Sequence, residues 1–107
     1  MGHRGWRDRY PENTLVSVEA ALALGCDALE LDLHLCGDGQ IVVIHDDTVD
    51  RTTDGEGSVH RMPLAELQAL DAGSWFAPEF AGARIPTLRE VLARIPSTLP
   101  LFAEVKD

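Results

Sequence analysis

Glu30 and Asp32 stand two residues apart in the run Leu29-Glu30-Leu31-Asp32-Leu33-His34-Leu35, which alternates apolar and polar without a fault. Successive side chains of a strand point to opposite faces, so the two carboxylates and His34 share one face and the four leucines the other. In a pocket, two such carboxylates need a counter-charge, and a hard divalent cation supplies one. The alternation by itself favours a half-exposed strand with a polar outer face. Glu104 brings a third carboxylate near the end of another strand, with Lys106 on its face; alone, this pair would read as a solvated strand end. His3 and His45 are the candidate acid and base, because imidazole titrates near neutrality. His45 follows a buried run, and His3 adjoins Arg4, whose planar guanidinium matches phosphate oxygens two at a time. His34, on the face of Glu30 and Asp32, leaves a supporting role open but not that of a reacting group, and His60 is expected to have no role. Together these residues suggest a metal-assisted site for an anionic ester.

Positioning them requires strands with helices between. Pro11-Glu12-Asn13-Thr14 is a helix start, with Asn13 or Thr14 as cap. Leu15, Val18, Ala21, Leu22 and Leu24 follow at helical spacing, and Gly25 stops the helix. After Leu35, Gly37-Asp38-Gly39 signals a turn into Ile41-Val42-Val43-Ile44, a buried strand antiparallel to its predecessor. Residues 47–62 are rich in Asp, Thr, Gly and Ser and read as an irregular excursion. Leu64–Leu70 reads as a short helix after Pro63. The apolar stretch 73–80, with Trp75, Phe76 and Phe80, is expected to pack over a neighbouring surface. Thr87 and Glu90 form a capping box. Leu88, Val91, Leu92 and Ile95 make the buried stripe of that helix, which Pro96 ends. Leu99–Val105 is the last strand. The order favours an α/β fold with a parallel sheet and outer helices.

Composition narrows the function. Of 107 residues 45% are apolar, enough for a packed core. The net charge of −9, with no basic cluster, argues against nucleic-acid or anionic-membrane partners. An anionic small molecule remains compatible if a cation and a few basic groups meet it. No 18-residue apolar run exists, so no membrane span is expected. No export leader is visible, which gives a cytoplasmic expectation. Cys26 and Cys36 lack metal-ligand spacing and are expected to be plain thiols.

The order of motifs adds a family. His3-Arg4-Gly5, Pro11-Glu12-Asn13-Thr14, Glu30-Leu31-Asp32, Asp38-Gly39 and Val43-Ile44-His45-Asp46 resemble the glycerophosphodiester phosphodiesterases in order and spacing. Arg51-Thr52-Thr53, Leu70-Asp71-Ala72-Gly73-Ser74-Trp75-Phe76, Ile85-Pro86-Thr87-Leu88 and Glu104-Val105-Lys106 continue the match nearly end to end. The resemblance implies a TIM-type (β/α) barrel of the PLC-like phosphodiesterase class, with the site at the C-terminal ends of the strands. It implies Glu30, Asp32 and Glu104 as ligands of calcium or magnesium, His3 and His45 as general acid and base, and Arg4 and Lys106 on the phosphate. Asn13 would assist nearby. Residues 46–85 would be the family's insertion over the glycerol pocket. The reaction implied is hydrolysis of a glycerophosphodiester to glycerol phosphate and an alcohol.

A full barrel of this kind takes about 250 residues. Residues 1–107 are therefore expected to form the N-terminal part of the domain, with only the early strands, and the N-terminus looks clipped. An open part-barrel has an unpaired edge and an uncovered apolar face, so self-association is expected, with little activity in isolation. Two other readings compete. One is a related barrel of phospholipase D type acting on phospholipids; the other is a non-catalytic fragment that binds a partner chain through the open sheet.

Overall fold

The shortest strand carries the first candidate residue. In the computed structural model, which describes residues 1–106, β1 (Gly2–His3) runs parallel to β2 (Leu29–Leu35), with His3 opposite Glu30. Helix α1 (Leu15–Ala23) makes the crossover. Of its two candidate caps, Thr14 is the one used: its backbone is extended and its side chain accepts from the Ser17 N–H. That is the geometry an N-cap needs. Asn13 instead adopts φ 56, in the left-handed region. Gly25, at φ 77, ends the helix where the sequence places the stop.

Past Leu35, β2 turns back into β3 (Ile41–Val43), with Leu33 opposite Val43 and Leu35 opposite Ile41. This is the expected antiparallel hairpin, and Gly39 takes φ 82 in its turn. On the other side of β2 lies β4 (Leu101–Val105), parallel, with Leu29 opposite Leu101 and Leu33 opposite Val105. It starts two residues later than Leu99, after Pro100, which has no N–H for a ladder. The parallel order β1-β2-β4, with α1 crossing between the first two, is that of the early strands of a (β/α) barrel.

Between β3 and β4 come α2 (Leu64–Ala69), α3 (Leu88–Leu92) and two single turns of 3₁₀ helix. Thr87 and Glu90 form the expected capping box at α3. The helix closes at Leu92, ahead of Pro96, and Leu92 itself is exposed, so Val91 is the fully buried member of the stripe.

There are two cores. Leu29, Leu31, Leu33 and Val43 pack with Val18 and Ala21 of α1 and Val91 of α3. Val42 and Ile44 instead join Val49, Val59, Met62, Leu67 and Ile85. The alternation of β3 thus feeds both, and the irregular excursion has a core of its own. An aromatic chain extends it toward the loop after β1: ring centroids of Trp75–Phe76, Phe76–Phe80, Phe80–Tyr10 and Tyr10–Trp6 lie 5.6, 5.8, 5.4 and 5.5 Å apart.

The polar face of β2 departs from the simple amphipathic expectation. Asp32 is 1% and His34 3% exposed, whereas Leu35, on the apolar face, is 43% exposed. Leu35 lies at the tip, where among the described residues β3 is the only strand paired with it. No helix of the described residues is long and apolar enough to cross a membrane. Cys26 and Cys36 are free thiols.

Candidate active site

Burying Asp32 would be costly without partners. Its Oδ2 lies 3.2 Å from Arg4 Nε and accepts from Asn13 Nδ2 at 3.1 Å. Its Oδ1 lies 3.8 Å from Lys106 Nζ. Lys106 in turn meets Glu104 Oε2 at 2.8 Å, and His3 Nδ1 lies 3.5 Å from Glu30 Oε1. Register explains the convergence: Asp32 stands opposite Glu104 across the β2–β4 pair, and Glu30 opposite His3 across β1–β2. One carboxylate oxygen from each of Glu30, Asp32 and Glu104 lies within 4.8 Å of the other two.

Three carboxylates therefore face two cations, Arg4 and Lys106. The all-oxygen set and the unbalanced negative charge fit a hard divalent cation. The pairing with Lys106 holds the Glu104 carboxyl below the ordinary range, and Glu104 raises the lysine.

The loop after β1 holds Arg4 in an unusual backbone conformation. Arg4 has φ 52; its N–H donates to Glu30 O at 2.7 Å, and its carbonyl accepts from Asn13 N–H at 2.8 Å. Two neighbouring non-glycine residues in the left-handed region cost roughly 1–3 kcal/mol each, and such strain clusters at working sites. Asn13 thereby reaches Asp32 with its amide while Thr14 caps the helix.

His45 follows β3, where Asp46 Oδ1 lies 2.8 Å from its Nδ1. His34 Nε2 donates to the carbonyl of His45 at 3.0 Å, so the buried histidine steadies the backbone of the candidate acid–base residue. His60, expected to have no role, packs its ring against His34 with centroids 5.4 Å apart.

The sequence reading missed an ionic network behind these groups. Arg51 donates to both oxygens of Glu12, at 3.1 and 2.9 Å, and to both oxygens of Asp46, at 2.9 and 3.1 Å. Glu12 also lies 3.3 Å from Arg4 Nη1. Burial raises the Glu12 carboxyl, but its hydrogen bonds and charge pairing with Arg51 outweigh this and hold it below its ordinary value. The Arg51 hydrogen bonds lower Asp46 to about 2, and bonding to Glu12 and then Asp46 raises Arg51. Glu12, Asp46 and Arg51 all fall inside the matched motifs, yet nothing local showed that Arg51 closes on both carboxylates.

This network predicts a pH effect. The Asp46 carboxyl is lowered on folding, so its stabilisation is fully present above its unfolded value of about 4. It is expected to fade as the pH falls through about 2. Unfolding free energies of Asp46→Asn and the unchanged chain should converge across that window; a difference that stays constant from pH 6 to pH 2 would rule the contribution out.

A hollow of about 410 Å³ lies beside β1, lined by His3, Trp6, Ala21 and Cys26 among others. None of the three clustered carboxylates lines it.

The model of the glycerophosphoryl diester phosphodiesterase family matches residues 3–106. A glycerophosphodiester phosphodiesterase of Caldanaerobacter subterraneus is 53% identical over 95 residues, covering 89% of this chain and 39% of the relative. The crystal structure of a glycerophosphodiester phosphodiesterase from Agrobacterium tumefaciens superposes with a TM-score of 0.94 at 42% identity, over 98% of this chain and 46% of that one. An Oleispira antarctica phosphodiesterase, solved with its product sn-glycerol-3-phosphate, gives a TM-score of 0.90 at 44% identity, over 98% and 43%. The chain thus spans less than half the length of these proteins.

Proposed function

Because the chain belongs to the glycerophosphoryl diester phosphodiesterase family, we propose that its site hydrolyses a glycerophosphodiester to glycerol 3-phosphate and an alcohol. The observation that carries this reading is the meeting of Glu30, Asp32 and Glu104 within 4.8 Å, with Arg4 and Lys106 on the same carboxylates. The glycerol 3-phosphate bound to the Oleispira antarctica relative supports the choice of product.

Glu30, Asp32 and Glu104 would hold calcium or magnesium, which when bound polarises a phosphoryl oxygen and neutralises developing charge. Arg4 and Lys106 bind the remaining phosphate oxygens, the guanidinium through paired N–H groups and the ammonium as a point charge. His3 and His45 divide the proton work: one takes the proton of the attacking oxygen as the new O–P bond forms, that oxygen being water's, or the neighbouring glycerol hydroxyl's with water then opening the cyclic phosphate. The other donates a proton to the alcohol oxygen as the old P–O bond breaks. Asp46 accepts from Nδ1 of His45, which leaves Nε2 as the atom that exchanges protons.

The open sheet bears on activity. Phe102 is 56% and Val105 72% exposed on β4, and the outer edge of that strand is unpaired among the described residues. We expect the 107-residue chain to associate through this surface, and turnover to belong to the associated species.

The test is release of glycerol phosphate from glycerophosphocholine with calcium, with magnesium and with chelator, measured across sedimentation fractions. Metal-dependent release in the associated fraction is the expected result. Release indifferent to chelator, no release from that fraction, or choline release from sphingomyelin alone would overturn the reading.

A further inference from the structure

Arg51 lies in the excursion, 39 residues from Glu12 in sequence, and it has no direct contact with the three clustered carboxylates. Its guanidinium nevertheless spends its donors on two carboxylates that each govern a working group. Glu12 faces Arg4 on the other side, and Asp46 faces His45. The guanidinium carbon also lies 5.9 Å from the ring centre of Trp75, whose indole N–H is tied to Ala72 O at 3.0 Å. The fork is thus held from behind by a fixed aromatic face.

The consequence for His45 is a choice of tautomer. An ionised carboxylate only accepts hydrogen bonds, so Asp46 Oδ1 at 2.8 Å requires the hydrogen on Nδ1. Asp46 could turn toward solvent, since it neighbours His45 in sequence and is only partly buried. Arg51 prevents this by taking Oδ1 and Oδ2 together. Without the guanidinium, Glu12 and Asp46 would face each other as like charges and separate.

We propose that Arg51 is a positioning residue: it locks Glu12 and Asp46 into one frame, so that Arg4 is aimed and His45 is held with hydrogen on Nδ1 and Nε2 free. The excursion then does more than pack over the sheet; it carries the clamp joining the loop after β1 to the end of β3. The assignment rests on the roles given above to Arg4 and His45, but its test does not depend on turnover.

The test is ¹⁵N NMR of the ring nitrogens of His45 in the full chain, at a pH well above imidazole titration. The unchanged chain is expected to show a protonated Nδ1. Arg51→Met, a shorter side chain without donors, is expected to move the hydrogen largely to Nε2, with a dispersed folded spectrum. In the associated, active species kcat should fall by roughly 10–100-fold, the range found for lost supporting partners. Should Arg51→Met fail to fold, Arg51→Leu, which likewise has no donors, is read in the same way. An unchanged tautomer in either folded variant overturns the proposal. Unfolding of both overturns it too, because Arg51 would then hold the fold and not His45. A normal tautomer response without any glycerol phosphate release would instead sink the proposed reaction and leave the clamp standing.

Discussion

Asp32→Asn is expected to weaken calcium or magnesium binding by more than about 100-fold, beyond the loss typical for a supporting partner. Asp32 is the most buried of the three clustered carboxylates and the one on which both Arg4 and Lys106 converge. Asparagine keeps the shape but removes the negative charge. It also offers an N–H₂ group where Arg4, Asn13 and Lys106 already present donors, so at least one donor loses its acceptor. Breaking a buried ion pair costs about 3–5 kcal/mol when the other charge is stranded. Arg4 keeps Glu12, so the stability loss should fall below that range. Glu104→Gln makes the contrast, because Glu104 is exposed and Lys106 can still approach Asp32. Calorimetric titration of both variants decides: equal affinities would mean that Asp32 is no ligand and that its burial serves only the ion pairs.

Local signals in the sequence were legible because the physics behind them is local. The alternation of β2, the hairpin turn at Gly39, the stop at Gly25 and the reciprocal cap of Thr87 and Glu90 each depend on a few neighbouring residues. The burial of Asp32 and His34 is different in kind. Alternation says that Glu30, Asp32 and His34 share a face; it does not say whether that face meets water or an interior. The answer comes from β4 and from Arg4 and Lys106, far away in the chain. The excursion illustrates the same limit. Its turns read as irregular, yet Val49, Val59, Met62 and Leu67 assemble a second core against Val42 and Ile44. Arg51 was visible within a matched motif, but its two carboxylates come from separate loops, and only the fold brings them to one guanidinium.

Gly5→Ala is expected to destabilise the chain by about 2–5 kcal/mol, the sum of a left-handed backbone cost and an overpacking cost. Gly5 has φ 78, and a Cβ there would run into Ser17 Oγ and come within 2.6 Å of the Ser17 carbonyl carbon. Helix α1 cannot retreat cheaply. Ser17 Oγ accepts from Trp6 N–H at 2.7 Å and donates to Arg4 O at 3.1 Å, and Trp6 N–H also lies 3.2 Å from Ser17 O. This contact fixes the loop whose other bonds, Arg4 to Glu30 and Asn13 to Arg4, set the site. Gly39→Ala separates the two costs. Gly39 has φ 82, but a Cβ there would meet nothing within 4 Å, so about 1–2 kcal/mol is expected from the backbone alone. Urea unfolding of the two variants should therefore differ by at least about 1 kcal/mol, the lower bound of the overpacking cost. Ser17→Gly placed on Gly5→Ala should recover only part of the loss, because the helix backbone still obstructs the new methyl. Calcium affinity gives the link to function: it should fall in Gly5→Ala and hold in Gly39→Ala, because only the first displaces Arg4 and Asn13 from Asp32. Equal stabilities for the two variants would mean that the close approach of the loop to α1 carries no energy, and the site would then have to be held by its ion pairs alone.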